Sequence, residues 1–136
     1  AFFATQKDIT VTGSSNYSIK LVRPLAQINV GTTGTPIQAS FKAKDSPDTF
    51  HPFTNTVSGK TDFIWNFSNT TTETFPVDGT AYNYLAMGYL FAPTEAMWIV
   101  AELTLTDGEN SKTVEFPQVE IEANQRSNIA GGFTAK

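Results

Sequence analysis

The chain offers few groups that could make or break covalent bonds. Its single imidazole, His51, sits in Phe50-His51-Pro52-Phe53, and cysteine is absent. Nucleophilic catalysis needs a nucleophile, a base within hydrogen-bond reach and a third group that orients the base. One histidine, no thiol and no Gly-x-Ser-x-Gly elbow leave such a triad with little to be built from, so His51 reads as a loop side chain. Glu120 and Glu122 alternate with Val119 and Ile121. On a strand both carboxylates would share one face, a placement that acid–base chemistry can use, but the apolar pair claims the opposite face for a core and leaves the carboxylates in solvent. Asp107, Glu109 and Asn110 present oxygens, yet a calcium loop draws roughly six to eight of them from a longer and denser array, and turn formation accounts for these better. Without cysteine there is no thiolate zinc site and no disulfide framework. The expectation is a non-enzyme with no catalytic residue, no cofactor and no metal.

Aromatic stacking is the better-represented chemistry. Trp65, Trp98, Tyr82, Tyr84 and Tyr89 are candidates, because exposed rings on β-sandwich modules stack on sugars. Trp98 stands out as the candidate contact aromatic. Strict alternation puts it opposite Met97 and Ile99, on the nominal outer face with Val100 and Glu102. A ring in that position either packs under a neighbouring domain or marks a contact surface.

Charge excludes another class. The formal net charge is -4, and the nine basic residues are scattered, whereas nucleic-acid binding needs Lys and Arg gathered on one face. No apolar run reaches the roughly 18 to 20 residues of a membrane helix. The apolar opening Ala1-Phe2-Phe3-Ala4 suggests the downstream part of a longer exported protein, whose signal or lipid anchor lies upstream. At 136 residues, a single domain over 1–136 is the expectation.

The elements that must position these side chains are strands. Short alternating or β-branched runs are punctuated by Gly, Pro, Asn, Asp and Thr, and helix signals are almost absent. Ile9 and Val11 alternate with polar residues before a turn at Gly13-Ser14-Ser15-Asn16. A run from Ile19 to Val30 places Val22, Ala26, Ile28 and Val30 on one face. Pro24 interrupts it, and since proline cannot donate to a ladder, this strand is expected at an edge or with a bulge there. Ile37, Ala39, Phe41 and Ala43 form the apolar side of a half-buried strand. Asp45 to Asn55 reads as a loop. A hairpin at Ser58-Gly59-Lys60-Thr61 leads to Phe63, Trp65 and Phe67 on one face, followed by a loop over Ser68 to Glu73. Tyr82 to Phe91 is apolar on both faces, which predicts an inner strand covered on both sides. Met97, Ile99, Ala101, Leu103 and Leu105 alternate strictly, and Asp107-Gly108-Glu109-Asn110 is the strongest hairpin signal. In the return strand Val114 and Phe116 share one phase and Val119 and Ile121 the other, so a bulge is placed near Pro117. A last short strand spans Ser127 to Thr134. About eight strands of this kind predict an all-β, two-sheet antiparallel β-sandwich.

Three blocks, from Leu21 to Thr32, from Phe75 to Met87 and from Asn124 to Gly131, resemble the fimbrillin-like surface lipoproteins of Bacteroidales-type bacteria. Their wording here is Leu21-Val22-Arg23-Pro24-Leu25-Ala26-Gln27-Ile28-Asn29-Val30-Gly31-Thr32, Phe75-Pro76-Val77-Asp78-Gly79-Thr80-Ala81-Tyr82-Asn83-Tyr84-Leu85-Ala86-Met87 and Asn124-Gln125-Arg126-Ser127-Asn128-Ile129-Ala130-Gly131. The resemblance implies transthyretin-like Greek-key sandwiches and subunits that polymerise by exchanging strands. It also implies a cell-surface or fimbrial location, with outer-membrane attachment only through a lipid anchor outside this chain. The last block departs from the family pattern in reading Ser before Asn and then Gly131-Gly132-Phe133.

The expected function is therefore structural or adhesive: a cell-surface domain acting by protein–protein contact, with strand exchange in a pilus. Its partners would be other surface or fimbrial subunits, itself included, and a host or glycan ligand, with no nucleic acid. The candidate assembly strand is Ser127, Asn128, Ile129, Ala130, Gly131, Gly132 and Phe133. The alternative is a non-catalytic carbohydrate-binding β-sandwich module with Trp98 or Tyr89 as platform.

Overall fold

A computed structural model describes residues 2–4, 21, 23–35, 37–67 and 73–135. The predicted strand at Ile9 and Val11, its following turn and the position of Val22 lie outside the described residues. So does most of the loop predicted over Ser68 to Glu73. Among the described residues the chain is all-β and contains no helix.

Ten strands follow in order: β1 (Leu25–Thr32), β2 (Gln38–Ser46), β3 (Thr49–His51), β4 (Thr56–Ser58), β5 (Thr61–Phe67), β6 (Thr74–Val77), β7 (Thr80–Phe91), β8 (Met97–Asp107), β9 (Asn110–Ile121) and β10 (Arg126–Gly131). Eight of them make two four-stranded sheets, ordered β10-β1-β7-β6 and β5-β2-β8-β9, and the small β3-β4 hairpin stands apart. The two sheets enclose one core. Ile28, Val30, Leu85 and Leu90 come from the first, and Phe41, Leu103, Leu105 and Ile121 from the second. Phe41 stacks on Trp65 at 5.5 Å between ring centroids, with the ring planes nearly parallel at 4°. The alternation that the sequence displays is thus the alternation of core and surface.

Several expectations hold. Ala39, Phe41 and Ala43 are buried along β2, with Ile37 packed partly against the same core. The β8–β9 hairpin turns through Gly108 and Glu109, with Asp107 paired to Asn110. The bulge near Pro117 is present. The ladder slips between Ile99 and Ala101, which pair with Val119 and Phe116, so Pro117 and Gln118 face Val100 alone. A proline is tolerated at such a point because no ladder bond is lost.

Other expectations need correction. The sandwich is not purely antiparallel, because β1 and β10 run parallel. The chain crosses from β9 to β10 through a turn at Glu122–Gln125 and arrives beside β1 already heading the same way, with β1 and β10 far apart in sequence as a parallel pair requires. Pro24 does not mark an edge either. It lies just before β1, which is an inner strand between β10 and β7, and its carbonyl accepts the Ala92 N–H at 3.1 Å. The proline sits where no ladder donor is required, and the irregularity of this strand comes instead between Val30 and Gly31.

The predicted loop Asp45 to Asn55 contains the end of β2 and all of β3. Thr49, Phe50 and His51 pair with Ser58, Val57 and Thr56. Pro47 precedes β3 and Pro52 falls in the turn, so neither disturbs this ladder. Ser58 to Thr61 consequently does not close a hairpin, since β4 pairs with β3 whereas β5 pairs with β2. Strand β6 was not anticipated. It forms with β7 a tight hairpin at Asp78-Gly79, where both residues have positive φ (50° and 83°), as a type I′ turn demands. Finally, β7 is an inner strand, but its outer face is only partly covered. Phe91 lies under Phe50 of the small hairpin at 5.8 Å, whereas Tyr89 remains 51% exposed.

Candidate functional site

The side of the sandwich where β9 and β10 run together gathers most of the residues singled out above. Strand β9 is the edge of one sheet and β10 the edge of the other. Ser127 joins them, its hydroxyl donating to the Glu120 carbonyl at 2.5 Å. Beside this staple runs an open groove of ≈ 320 Å³ lined by Trp98, Phe116 and Gln118 from one sheet and by Ser127, Asn128 and Ile129 from the other. Trp98 and the candidate assembly strand, far apart in sequence, therefore share one surface. Trp98 is 58% exposed, on the outer face of β8 opposite Glu120. Val100 lies next to it on the same face, also exposed.

Within the candidate strand, Ser127 to Gly131 belong to β10, and Gly132 and Phe133 follow it. Two main-chain bonds fix which way β10 directs its backbone. The Gln27 N–H donates to the Gln125 carbonyl at 3.0 Å and the Thr33 N–H to the Gly131 carbonyl at 3.1 Å. With the in-register pairing of Gln27 to Arg126 through Thr32 to Gly131, this aims the main-chain groups of Ser127, Ile129 and Gly131 at β1. Those of Arg126, Asn128 and Ala130 point away from the sheet. The side chains alternate likewise, with Ile129 packed on the core and Asn128 exposed. Phe133 packs partly against the core, meets Phe116 edge-to-face at 5.9 Å, and its carbonyl accepts the Thr32 hydroxyl at 3.0 Å. Ala135 is buried beyond it. The end of the described chain is thus built into the fold.

The edges differ in what blocks them. Strand β6 carries Pro76 and β9 carries Pro117, whereas β5 and β10 contain no proline. Proline and bulges on edge strands oppose pairing with another sheet.

The residues weighed for catalysis do not converge. His51 is an exposed strand residue, not a loop one, with Nε2 2.7 Å from the Ser58 hydroxyl. Glu120 is exposed on β9 and Glu122 follows the strand. Asp107, Glu109 and Asn110 are spent in the β8–β9 turn. Among the described residues no group of three or more His, Asp or Glu side chains could hold a metal ion. The charged features elsewhere are surface pairs. Lys44 Nζ lies 2.5 Å from Glu102 Oε1, and this bond pushes the lysine pKa up and holds the Glu102 carboxyl below its usual value. Asp48 is likewise held low, by hydrogen bonds from Thr61 and Thr49.

One arrangement was not anticipated. Arg126, Gln27 and Tyr89 are register partners on β10, β1 and β7 and form one row across the outer face of their sheet. Beneath it Gln27 Nε2 donates to Asn29 Oδ1 at 2.8 Å, and Asn29 Nδ2 to Asn128 Oδ1 at 3.0 Å. Asn29 is 1% exposed. The signal in the sequence is the polar phase Gln27, Asn29 set against apolar Ala26, Ile28 and Val30.

No curated protein and no solved structure matches the chain. The profile of a family of unknown function (DUF6562) matches residues 1–136, and the chain belongs to that family.

Proposed function

We propose that this chain is a structural or adhesive domain of the cell surface that works by protein–protein contact along the β10 edge. The reading extends the fimbrillin-like resemblance, and with it an extracytoplasmic location and attachment through an anchor outside this chain. The strand order supports the transthyretin-like Greek key that the resemblance implies: successive crossings β1 to β2, β5 to β6, β7 to β8 and β9 to β10 interlock the two sheets.

The observation that carries the proposal is the outward row of main-chain groups at Arg126, Asn128 and Ala130. Among the described residues β10 has a partner on one side only and no proline to block the other. A strand added there gains main-chain hydrogen bonds along its length, and the neighbouring groove offers apolar lining for alternate side chains. The apolar residue Phe3 near the start of the chain gives strand exchange no particular support, since it packs edge-to-face on Phe50 at 4.5 Å.

Ala130→Pro tests the proposal. It removes an N–H that points away from β1, so the internal ladder survives. The intact chain should self-associate with rising concentration in sedimentation velocity, and the variant should remain monomeric with an unchanged β-type circular-dichroism spectrum. Association that persists in the variant would move the contact away from β10.

A further inference from the structure

We propose that the outer face of the β10-β1-β7-β6 sheet carries a second, separate site that binds an acidic glycan, a sugar ring bearing a carboxylate. The site is the row Arg126, Gln27 and Tyr89 together with Arg23, Asn124 and Gln125, which line a recess of ≈ 70 Å³.

The chain has two arginines, Arg23 and Arg126, and both line this recess. The ion pairs among the described residues are Lys42–Asp62 and Lys44–Glu102, so among these residues neither guanidinium has a carboxylate partner. Arg23 stacks over the Phe2 ring at 4.6 Å, and its Nε–H is buried with no acceptor among the described residues. No acidic side chain lines the recess among the described residues. On a chain of net charge -4, this concentrates positive charge where the rest of the molecule repels anions. An arginine fork matches the planar geometry of a carboxylate and can bind it through two parallel hydrogen bonds.

The rest of the site fits a sugar better than a free anion. Tyr89 presents an exposed ring at the rim, a platform for the C–H face of a pyranose. The carboxamides of Gln27, Asn124 and Gln125 can donate to and accept from hydroxyls. Gln27 is held in place by its bond to the buried Asn29, which in turn donates to Asn128, so the centre of the row is ordered before any ligand arrives. The recess is too small for a whole sugar and suited to its carboxylate, with the ring lying over Tyr89 outside. The inference does not depend on assembly along β10.

Titration calorimetry on the intact chain tests it, with glucuronate-terminated and sialic-acid-terminated oligosaccharides set against their neutral counterparts. At least one acidic glycan should bind about tenfold or more tightly than its neutral counterpart. Arg126→Gln and Tyr89→Ala should each weaken that binding by about tenfold while leaving the thermal midpoint unchanged, since both side chains are exposed. Arg126→Gln also leaves the β10 backbone intact, so self-association should persist in it. Absence of binding to either acidic glycan, equal affinity for the neutral counterpart, or retention of binding in both variants would overturn the proposal. Equal binding of a poly-glutamate peptide would show that the carboxylate alone is recognised, and would overturn the glycan assignment too.

Discussion

Gly88 on β7 lies directly beneath the indole of Trp65 on β5, so close that a Cβ on the glycine would fall inside the ring's van der Waals surface. The contact joins the two sheets. Trp65 in turn lies flat on Phe41, its partner in the β2–β5 ladder, so it is also packed within its own sheet. Gly88→Ala should therefore force the indole or the β7 backbone to shift, at a cost of about 1–3 kcal/mol. A lowered midpoint in urea unfolding, with the Trp65 fluorescence changed in the folded state, is the expected result.

Phe133 should contribute to folding even though it follows the last strand. Its ring meets Phe116 and packs partly against the core. Because it is only half-buried, Phe133→Ala should cost about 1–3 kcal/mol, below the range for a fully buried ring. Calorimetric unfolding would check this. Removing Ser127 to Lys136 altogether would take away a ladder partner of β1 and the buried Ala135 as well. Such a truncation should unfold the domain and say nothing about assembly.

Asn29 is a polar side chain buried on β1 at 1% exposure. Asn29→Ala would leave the Gln27 amide without its acceptor and Asn128 without its donor, at a cost of about 1–3 kcal/mol. Chemical denaturation should detect the loss. The same variant should also weaken acidic-glycan binding by releasing Gln27.

Acid should weaken the fold through Glu102 and Asp48. Each carboxyl has a folded-state pKa below its ordinary value, 4.5 and 3.8 respectively. Their stabilisation is therefore complete above those values and is lost as pH falls through the depressed ones. Lys44 shifts the opposite way, from an ordinary 10.5 upward, so its share is complete below 10.5 and lost as pH rises through the raised value. Thermal midpoints measured from pH 7 to pH 3 should fall less steeply in Glu102→Gln than in the parent chain. The difference should be small, because the pair is solvent-screened.

Much of the fold was legible because it rests on period-two patterning. The apolar phases of β2, β5 and β8, and even the slip at Pro117, could be read from single strands. Partner choice could not. Whether β10 runs with or against β1, and whether Thr56 to Ser58 pairs forward with β5 or back with β3, depends on where other strands arrive in space. Pro24 misled for a related reason: its residue type speaks only for its own donor, and that donor lies outside the ladder. The row Arg126, Gln27 and Tyr89 was hidden because its members come from three strands whose lateral order the sequence does not state. Trp98 was placed correctly on an outer face, by alternation alone.

The contrast between proline-bearing and proline-free edges has a consequence for stoichiometry. If β10 of one copy meets β10 of another, a two-fold axis sets the strands antiparallel and the assembly closes as a pair. Growth without limit needs two unlike surfaces, and among the described strands of the two four-stranded sheets the other proline-free edge is β5. A sharp dimer in solution would identify the self-complementary contact, and a ladder of ever larger species would point to β10 engaging β5 of the next subunit.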